Sequence, residues 1–115
     1  MAAPDAVEFA TRVAGACQAS PIVQSYSVSI QDNVLVKVRA DLRPDLFVDV
    51  FYNAVTGKTS FALIRSTVRL YGVDNTTSWH VHPFEDPDSH QTCPPMEFEV
   101  FLQRVEEWLS GNLHP

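Results

Sequence analysis

The stretch Ser25–Tyr52, SYSVSIQDNVLVKVRADLRPDLFVDVFY, decides the fold. Apolar residues occupy every second position on both sides of Asp32-Asn33, which is the period of a strand with one buried face. An Asp-Asn turn between two such runs is typical of a β-hairpin. Arg43-Pro44-Asp45 marks the next turn. The stretch therefore predicts three successive antiparallel strands.

The strand pattern continues beyond Tyr52. Lys58–Arg65 and Val68–Tyr71 are predicted as two further strands, and Ser78–Val81 as a short last one. The connections between consecutive strands are short. Short connections favour an antiparallel meander, because parallel strands need long crossovers.

Both ends of the chain have helical spacing. Apolar residues in Pro4–Cys17 recur at three- and four-residue intervals, and a second apolar stripe runs from Phe98 to Leu109. Pro94-Pro95 can start the second helix and Gly111 can end it. The prediction is one α+β domain over residues 1–115. It is an antiparallel meander of about five or six strands, with both helices packed on one face because an apolar sheet face must be covered.

The cysteines and the N-terminus indicate the compartment. Cys17 and Cys93 form no CxxC motif, which excludes a zinc ribbon or a thioredoxin-type site, and their pairing stays open. Met1–Ala19 carries charges and lacks the apolar run of a signal peptide. Val13–Gln31, the longest uncharged run, is too interrupted to span a bilayer. We therefore expect a cytoplasmic protein with reduced thiols and no membrane contact.

The formal net charge of −6 disfavours a broad, nonspecific grip on nucleic acid. The acidic excess lies mainly in Glu85–Glu107, whereas basic residues collect in the middle of the chain. These are Lys37, Arg39, Arg43, Lys58, Arg65 and Arg69. They could form a local basic row for RNA. Solubility or a solvated strand face would explain them equally well.

Three of the four histidines fall within Asp74–His90. If Trp79–His82 is extended, His80 and His82 point to the same face, about 7 Å apart at their Cα atoms. Such a pair can move protons near neutral pH or converge on a divalent metal ion. Asp86, Asp88 and His90 are further oxygen and nitrogen donors within reach of a curled loop. With Asp86 as the carboxylate, the pair would complete a common catalytic metal set, and no other cofactor is predicted. The alternative is a pair of surface histidines that bind only water.

Asp49 is a charged residue within an otherwise apolar predicted strand. Charged groups in such places are usually paired or solvated, and Arg65 is the predicted partner. One interpretation is a structural ion pair. The other is a catalytic cluster of Asp49, Arg65 and Asp74 with His80 and His82, in which Arg65 binds phosphate and a histidine acts as general acid or base. Metal-independent RNA cleavage needs only these group types.

Three short segments carry a family resemblance. Leu63-Ile64-Arg65, Tyr71-Gly72-Val73-Asp74-Asn75 and His80-Val81-His82-Pro83 resemble the TumE-like toxin family of prokaryotic toxin–antitoxin systems. Its members end a small antiparallel sheet in an aromatic-Asp-Asn turn, followed by a segment rich in histidine and proline. The likeness covers Val34–His90. It implies a growth-inhibiting toxin with ribonuclease activity on RNA, neutralised by a cognate antitoxin.

Two other classes of function remain open. A noncatalytic interaction module would bind a protein partner through its acidic C-terminal helix or an exposed sheet edge. A small metal-binding hydrolase would use His80 and His82. An exposed edge would also permit a homodimer. The sequence does not decide whether the protein is an enzyme.

Overall fold

The computed structural model describes residues 3–112, and its seven strands form one antiparallel sheet in sequence order. The elements are α1 (Ala6–Ala19), β1 (Ser25–Gln31), β2 (Leu35–Arg43), β3 (Leu46–Asn53), β4 (Thr59–Arg65), β5 (Val68–Asp74), β6 (His80–His82), β7 (Gln91–Thr92) and α2 (Phe98–Asn112). The predicted α+β meander with a helix at each end is confirmed. The strand β7 was not predicted, because two residues are too few to show alternation.

The predicted Asp32-Asn33 turn joins β1 and β2. Both residues have positive φ, 54° and 57°, as the tight hairpin turn requires. The Val34 N–H donates to the Gln31 carbonyl at 3.0 Å and closes the turn. Asp and Asn tolerate this left-handed backbone better than most residues. The turn thereby sets the register in which the two strands pair.

One face of the sheet is covered by both helices. From β2 to β5 this face carries buried apolar side chains, namely Val36, Val38, Ala40, Val48, Val50, Phe61, Leu63, Tyr71 and Val73. The helix α1 lies against β1–β3 and α2 lies against β4. The buried side chains of α1 are mostly small, so this helix can approach the sheet closely. They are Ala6, Ala10, Val13 and Cys17. We call the opposite side, which neither helix covers, the open face.

The helix boundaries follow from local hydrogen bonding. The Asp5 side chain accepts a hydrogen bond from the Glu8 N–H at 2.8 Å and caps the start of α1. The helix α2 starts at Phe98, after the two prolines, and continues through Gly111 to Asn112. The prediction that Gly111 ends α2 is therefore wrong. Gly111 lacks the positive φ that a helix-ending glycine adopts.

Cys17 and Cys93 are free thiols, and their environments predict unequal reactivity. Burial raises the pKa of the Cys17 thiol to about 11, so the thiolate that reacts with disulfide reagents scarcely forms near pH 8. Cys93 is only partly buried. We expect Ellman's reagent to modify Cys93 in the folded protein at least about tenfold faster than Cys17.

Denaturant should abolish that difference in thiol reactivity, and a Cys93→Ser variant should lose the fast phase. Two equally fast thiols in the folded protein would contradict the burial of Cys17 on the inner face of α1.

In residues 3–112, no helix is both long and apolar enough to cross a membrane.

Candidate active site on the open face

The pairing of β5 with β6 places two of the predicted site histidines beside Asp74. Asp74 pairs with His80, and Gly72 pairs with His82. Because side chains alternate along a strand, Asp74, His80 and His82 lie on the open face, while the pair Val73 and Val81 points towards the helices. The predicted common face of His80 and His82 is confirmed.

A third histidine joins this pair through the β6–β7 hairpin. His80 pairs with Thr92 and Val81 with Gln91, so continuing the ladder brings His90 next to His82. The ring centroids are 5.0 Å apart for His80 and His82, 4.9 Å for His80 and His90, and 4.4 Å for His82 and His90. We call His80, His82 and His90 the histidine cluster.

Asp74 holds two members of the histidine cluster at once. Its Oδ1 lies 3.2 Å from His80 Nε2, and its Oδ2 lies 3.2 Å from His82 Nε2. Burial alone would raise the pKa of the Asp74 carboxyl. Hydrogen bonds from the Thr76 N–H and the His82 ring, together with the charge of His80, outweigh burial and lower this pKa. Asp74 is therefore an ionised acceptor at neutral pH.

The neighbours of each ring determine where the protons lie. The Arg69 guanidinium can only donate, so the His82 Nδ1 at 3.2 Å accepts, and the His82 Nε2 carries the proton that it donates to Asp74. Both nitrogens of His80 face acceptors, because Nδ1 lies 2.9 Å from the Ser78 carbonyl. The Nε2 of His80 lies beside the negative charge of Asp74.

Arg69 reaches the open face because β5 contains a bulge. Leu63 pairs with Tyr71 and Ile64 pairs with Arg69, so Leu70 is an extra residue on β5. Strict alternation would have placed Arg69 on the helix side with Tyr71. Arg69 was predicted only as part of the basic row, because alternation in the sequence gives no sign of a bulge.

Two further contacts fix the guanidinium of Arg69. It donates to the Pro87 carbonyl at 3.1 Å and thereby ties the β6–β7 loop to the sheet. A Cβ atom on Gly72 would lie 3.1 Å from the Arg69 Cδ and 3.6 Å from the His82 Cδ2. The glycine thus leaves room for the close approach of Arg69 to His82.

Asp49 lies on the open face but outside the histidine cluster. It pairs with Ala62, Ala62 pairs with Gly72, and Gly72 pairs with His82. Three strand spacings, about 14 Å, therefore separate Asp49 from His82. Burial raises the pKa of the Asp49 carboxyl, and the positive charge of Arg39 on the adjacent strand partly offsets this. Asp49 sits too far away to contact a group bound at the cluster.

Arg65 lies on the helix side of the sheet. Its guanidinium carbon is 5.9 Å from the centre of the Trp108 ring. Arg65 and Asp49 project to opposite faces, so the predicted pair between them does not form. The arginine that contacts the histidines is Arg69.

The β6–β7 loop does not bring Asp86 into the histidine cluster. Among residues 3–112, the group that could hold a metal ion consists of His80, His82 and His90. Asp86 is exposed, and its carbonyl accepts a hydrogen bond from the Ser89 N–H at 3.0 Å. The third donor is therefore an imidazole where the sequence analysis predicted a carboxylate.

Two structural contacts hold the segments that carry the cluster. Phe84, in the β6–β7 loop, stacks between Tyr71 at 4.2 Å and Trp108 at 5.0 Å, measured between ring centroids. Asn75 accepts a hydrogen bond from the Thr59 N–H at 2.7 Å. In the Asp74-Asn75 pair, Asp74 thus contacts the histidines while Asn75 anchors the end of β5.

The chain was also compared with known proteins. No protein-family model, curated protein sequence or solved structure matches it. The chemistry of the site rests on its own groups: a carboxylate that holds two imidazoles, a guanidinium, and a third imidazole that is exposed to solvent. These groups can transfer protons and stabilise negative charge on an oxyanion or a phosphate.

Proposed function

We propose that the open face carries the active site of a metal-independent ribonuclease, and that the protein is a TumE-like toxin of a toxin–antitoxin pair. One observation carries the proposal. Asp74 holds the imidazoles of both His80 and His82, and Arg69 contacts His82 from the other side. Phosphodiester cleavage requires proton transfer at two oxygens and stabilisation of the phosphate charge, and these groups together with His90, the third member of the cluster, supply both.

Exposure divides the roles among these groups. His82 is only 3% exposed, so it acts as a positioning residue between Asp74 and Arg69. His90 is exposed and His80 is partly exposed, so these two rings can touch a substrate. Because its Nε2 lies 3.2 Å from the Asp74 carboxylate, His80 is assigned as the general acid. His90 is assigned as the general base.

In the proposed reaction, His90 removes the proton of a ribose 2′-hydroxyl while that oxygen attacks the adjacent phosphorus. The bond from phosphorus to the 5′-oxygen breaks, and His80 gives its proton to the leaving oxygen. The products are a 2′,3′-cyclic phosphate and a 5′-hydroxyl. Arg69 stabilises the negative charge on the phosphate oxygens during the attack.

The distribution of charge is compatible with RNA on this face. Lys37 and Arg39 lie on the open face of β2, and with Phe51 they line a groove of about 570 Å³ over β1–β4. The acidic residues of α2 lie in the helix layer on the other side of the sheet, where Glu99 pairs with Arg12 of α1. The acidic residues of α2 therefore do not face the proposed substrate.

The test is cleavage of a fluorogenic single-stranded RNA by the purified chain in EDTA. We expect cleavage that leaves 2′,3′-cyclic phosphate ends, and no cleavage of the DNA oligonucleotide of the same sequence, which lacks the attacking hydroxyl. His80→Ala and His90→Ala should each lower kcat/KM by about 10²–10⁴-fold. Glu107→Gln, an exposed change on α2, should leave kcat/KM unchanged. Equal cleavage of RNA and DNA, or full activity in the histidine variants, would contradict the proposal.

A second candidate function, a protein-interaction module, is favoured by β1. This strand is the outer strand of the sheet, and its seven residues carry no charge. Val28 and Ile30 on it are 41% and 40% exposed. Long edges without charge readily pair with a strand of another chain. Within the toxin proposal, a cognate antitoxin or a second copy would add its strand here. If the chain binds a partner at β1 but cleaves no RNA, interaction is its function.

A further inference from the structure

The histidine cluster is tighter than acid–base catalysis alone requires. One ring nitrogen of each histidine lies within 4.8 Å of a ring nitrogen of the other two. Three nitrogen ligands of one Zn²⁺ ion stand about 3.4 Å apart, given bonds of about 2.05 Å and tetrahedral angles. Side-chain adjustments of about 1 Å would therefore let all three rings bind a single ion.

Two of the rings have a hydrogen-bond acceptor at one nitrogen, as histidine ligands of metal ions usually do. A ligating histidine normally donates its other N–H to a carbonyl or a carboxylate, which fixes the ring. The Nδ1 of His80 lies 2.9 Å from the Ser78 carbonyl, so Nε2 is its ligand nitrogen and would turn from Asp74, 3.2 Å away, to the ion. The Nε2 of His82 lies 3.2 Å from Asp74, which leaves Nδ1 for the same ion.

We propose that His80, His82 and His90 bind one divalent transition-metal ion such as Zn²⁺, and that the bound ion blocks RNA cleavage. Imidazole nitrogens select zinc, nickel, cobalt and copper over magnesium and calcium, which prefer oxygen ligands. The blocking effect rests on the proposed function, because the ion would occupy the nitrogens with which His80 and His90 move protons. The binding itself does not rest on it.

Arg69 is the group that competes with the ion. Its Nη2 lies 3.2 Å from the His82 Nδ1, where the ion would bind, and both the ion and the guanidinium are positive. An ion at this nitrogen must displace the Arg69 Nη2, the same atom that donates to the Pro87 carbonyl. Removing the guanidinium should therefore strengthen metal binding while it weakens RNA cleavage.

The binding test uses the full chain titrated with Zn²⁺ against a chromophoric chelator, and with Co²⁺ to record the visible absorption bands of the bound ion. We expect one ion per chain, with no competition from excess Mg²⁺. His90→Ala should weaken Zn²⁺ binding by about ten- to a hundredfold. Arg69→Gln should tighten it by about fivefold. Glu107→Gln is the control and should bind like the unchanged chain.

Two outcomes would overturn the metal site. One is the absence of saturable binding of one ion by the natural chain. The other is unchanged binding in His90→Ala, whose ring is exposed and whose loss should spare the fold, as circular dichroism would verify. Tighter binding in Arg69→Gln would support the site in a way that nonspecific surface binding would not.

RNA cleavage measured with and without Zn²⁺ tests the blocking effect and separates the two proposals. One equivalent of Zn²⁺ should abolish cleavage, and EDTA should restore it. If the chain binds Zn²⁺ but cleaves no RNA even in EDTA, the ribonuclease proposal fails and the metal site stands. If it binds Zn²⁺ and continues to cleave RNA at the same rate, the blocking effect is overturned.

Discussion

Replacing Phe101 with alanine is expected to lower the free energy of unfolding by about 3–5 kcal/mol. Phe101 is fully buried on α2. Its ring centroid lies 5.4 Å from that of Phe61 on β4 and 5.2 Å from that of Tyr71 on β5. The substitution removes apolar contact area and leaves a cavity that neighbours held by the sheet cannot fill. Both effects destabilise the fold.

The expected loss is a large part of the stability of a chain this size, which is typically about 5–15 kcal/mol. Urea unfolding followed by tryptophan fluorescence measures it. Val100→Ala is the matched control, because Val100 neighbours Phe101 on α2 and is 39% exposed. The control should change the free energy of unfolding by no more than about 0.5 kcal/mol. A loss below about 1 kcal/mol in Phe101→Ala would contradict the packing of α2 on the sheet.

The fold was predictable because its determinants are local. Alternation along Ser25–Tyr52 and the Asp32-Asn33 turn specify strands and turns without reference to distant residues. The wide apolar stripe of Phe98–Leu109 specifies a helix that must cover an apolar sheet face. The end of α2 was missed because the backbone conformation of Gly111 depends on the residues that follow it as much as on the glycine itself. Local patterns fix the identity of elements better than their ends.

The site was predictable only where it lies within one strand or one strand pair. His80 and His82 share a face because their spacing is two residues, and Asp74 precedes them by a short turn. Arg69 was missed because a bulge reverses the face of β5 at that point. His90 was not chosen as a ligand because its place depends on how the β6–β7 hairpin pairs. The face of Arg69 and the position of His90 both depend on how strands pair, and alternation along one strand does not encode that pairing.

The placement of Asp49 and Arg65 failed for a related reason. Their grouping assumed that neighbouring strands bring them to the same place on the open face. The observed register pairs Asp49 with Ala62, and Arg65, three residues further along β4, projects to the other face. The register of β3 with β4 depends on the length of their connecting turn. The positions of Asp49 and Arg65 in the sequence do not by themselves predict this register.

Asp74→Asn is expected to lower kcat/KM for RNA cleavage by about 10²–10⁴-fold. Asparagine has nearly the same size, but its amide offers one acceptor oxygen and one donor nitrogen. It therefore cannot present an oxygen to the Nε2 atoms of both His80 and His82, which lie 3.2 Å from the two separate oxygens of Asp74. It also lacks the negative charge that Asp74 places beside the His80 ring.

The matched control is Asp88→Asn, which makes the same chemical change at an exposed carboxylate in the β6–β7 loop and should leave kcat/KM unchanged. In the proposed mechanism Asp74 positions imidazoles and does not touch the substrate. The decrease in kcat/KM of Asp74→Asn should therefore come from a lower kcat. KM should change little, since the substitution leaves Arg69 and Lys37 in place on the open face. A merely structural role would instead lower the free energy of unfolding and leave kcat of the folded fraction intact. If the kcat/KM of Asp74→Asn is within about threefold of that of the natural chain, the positioning role of Asp74 is contradicted.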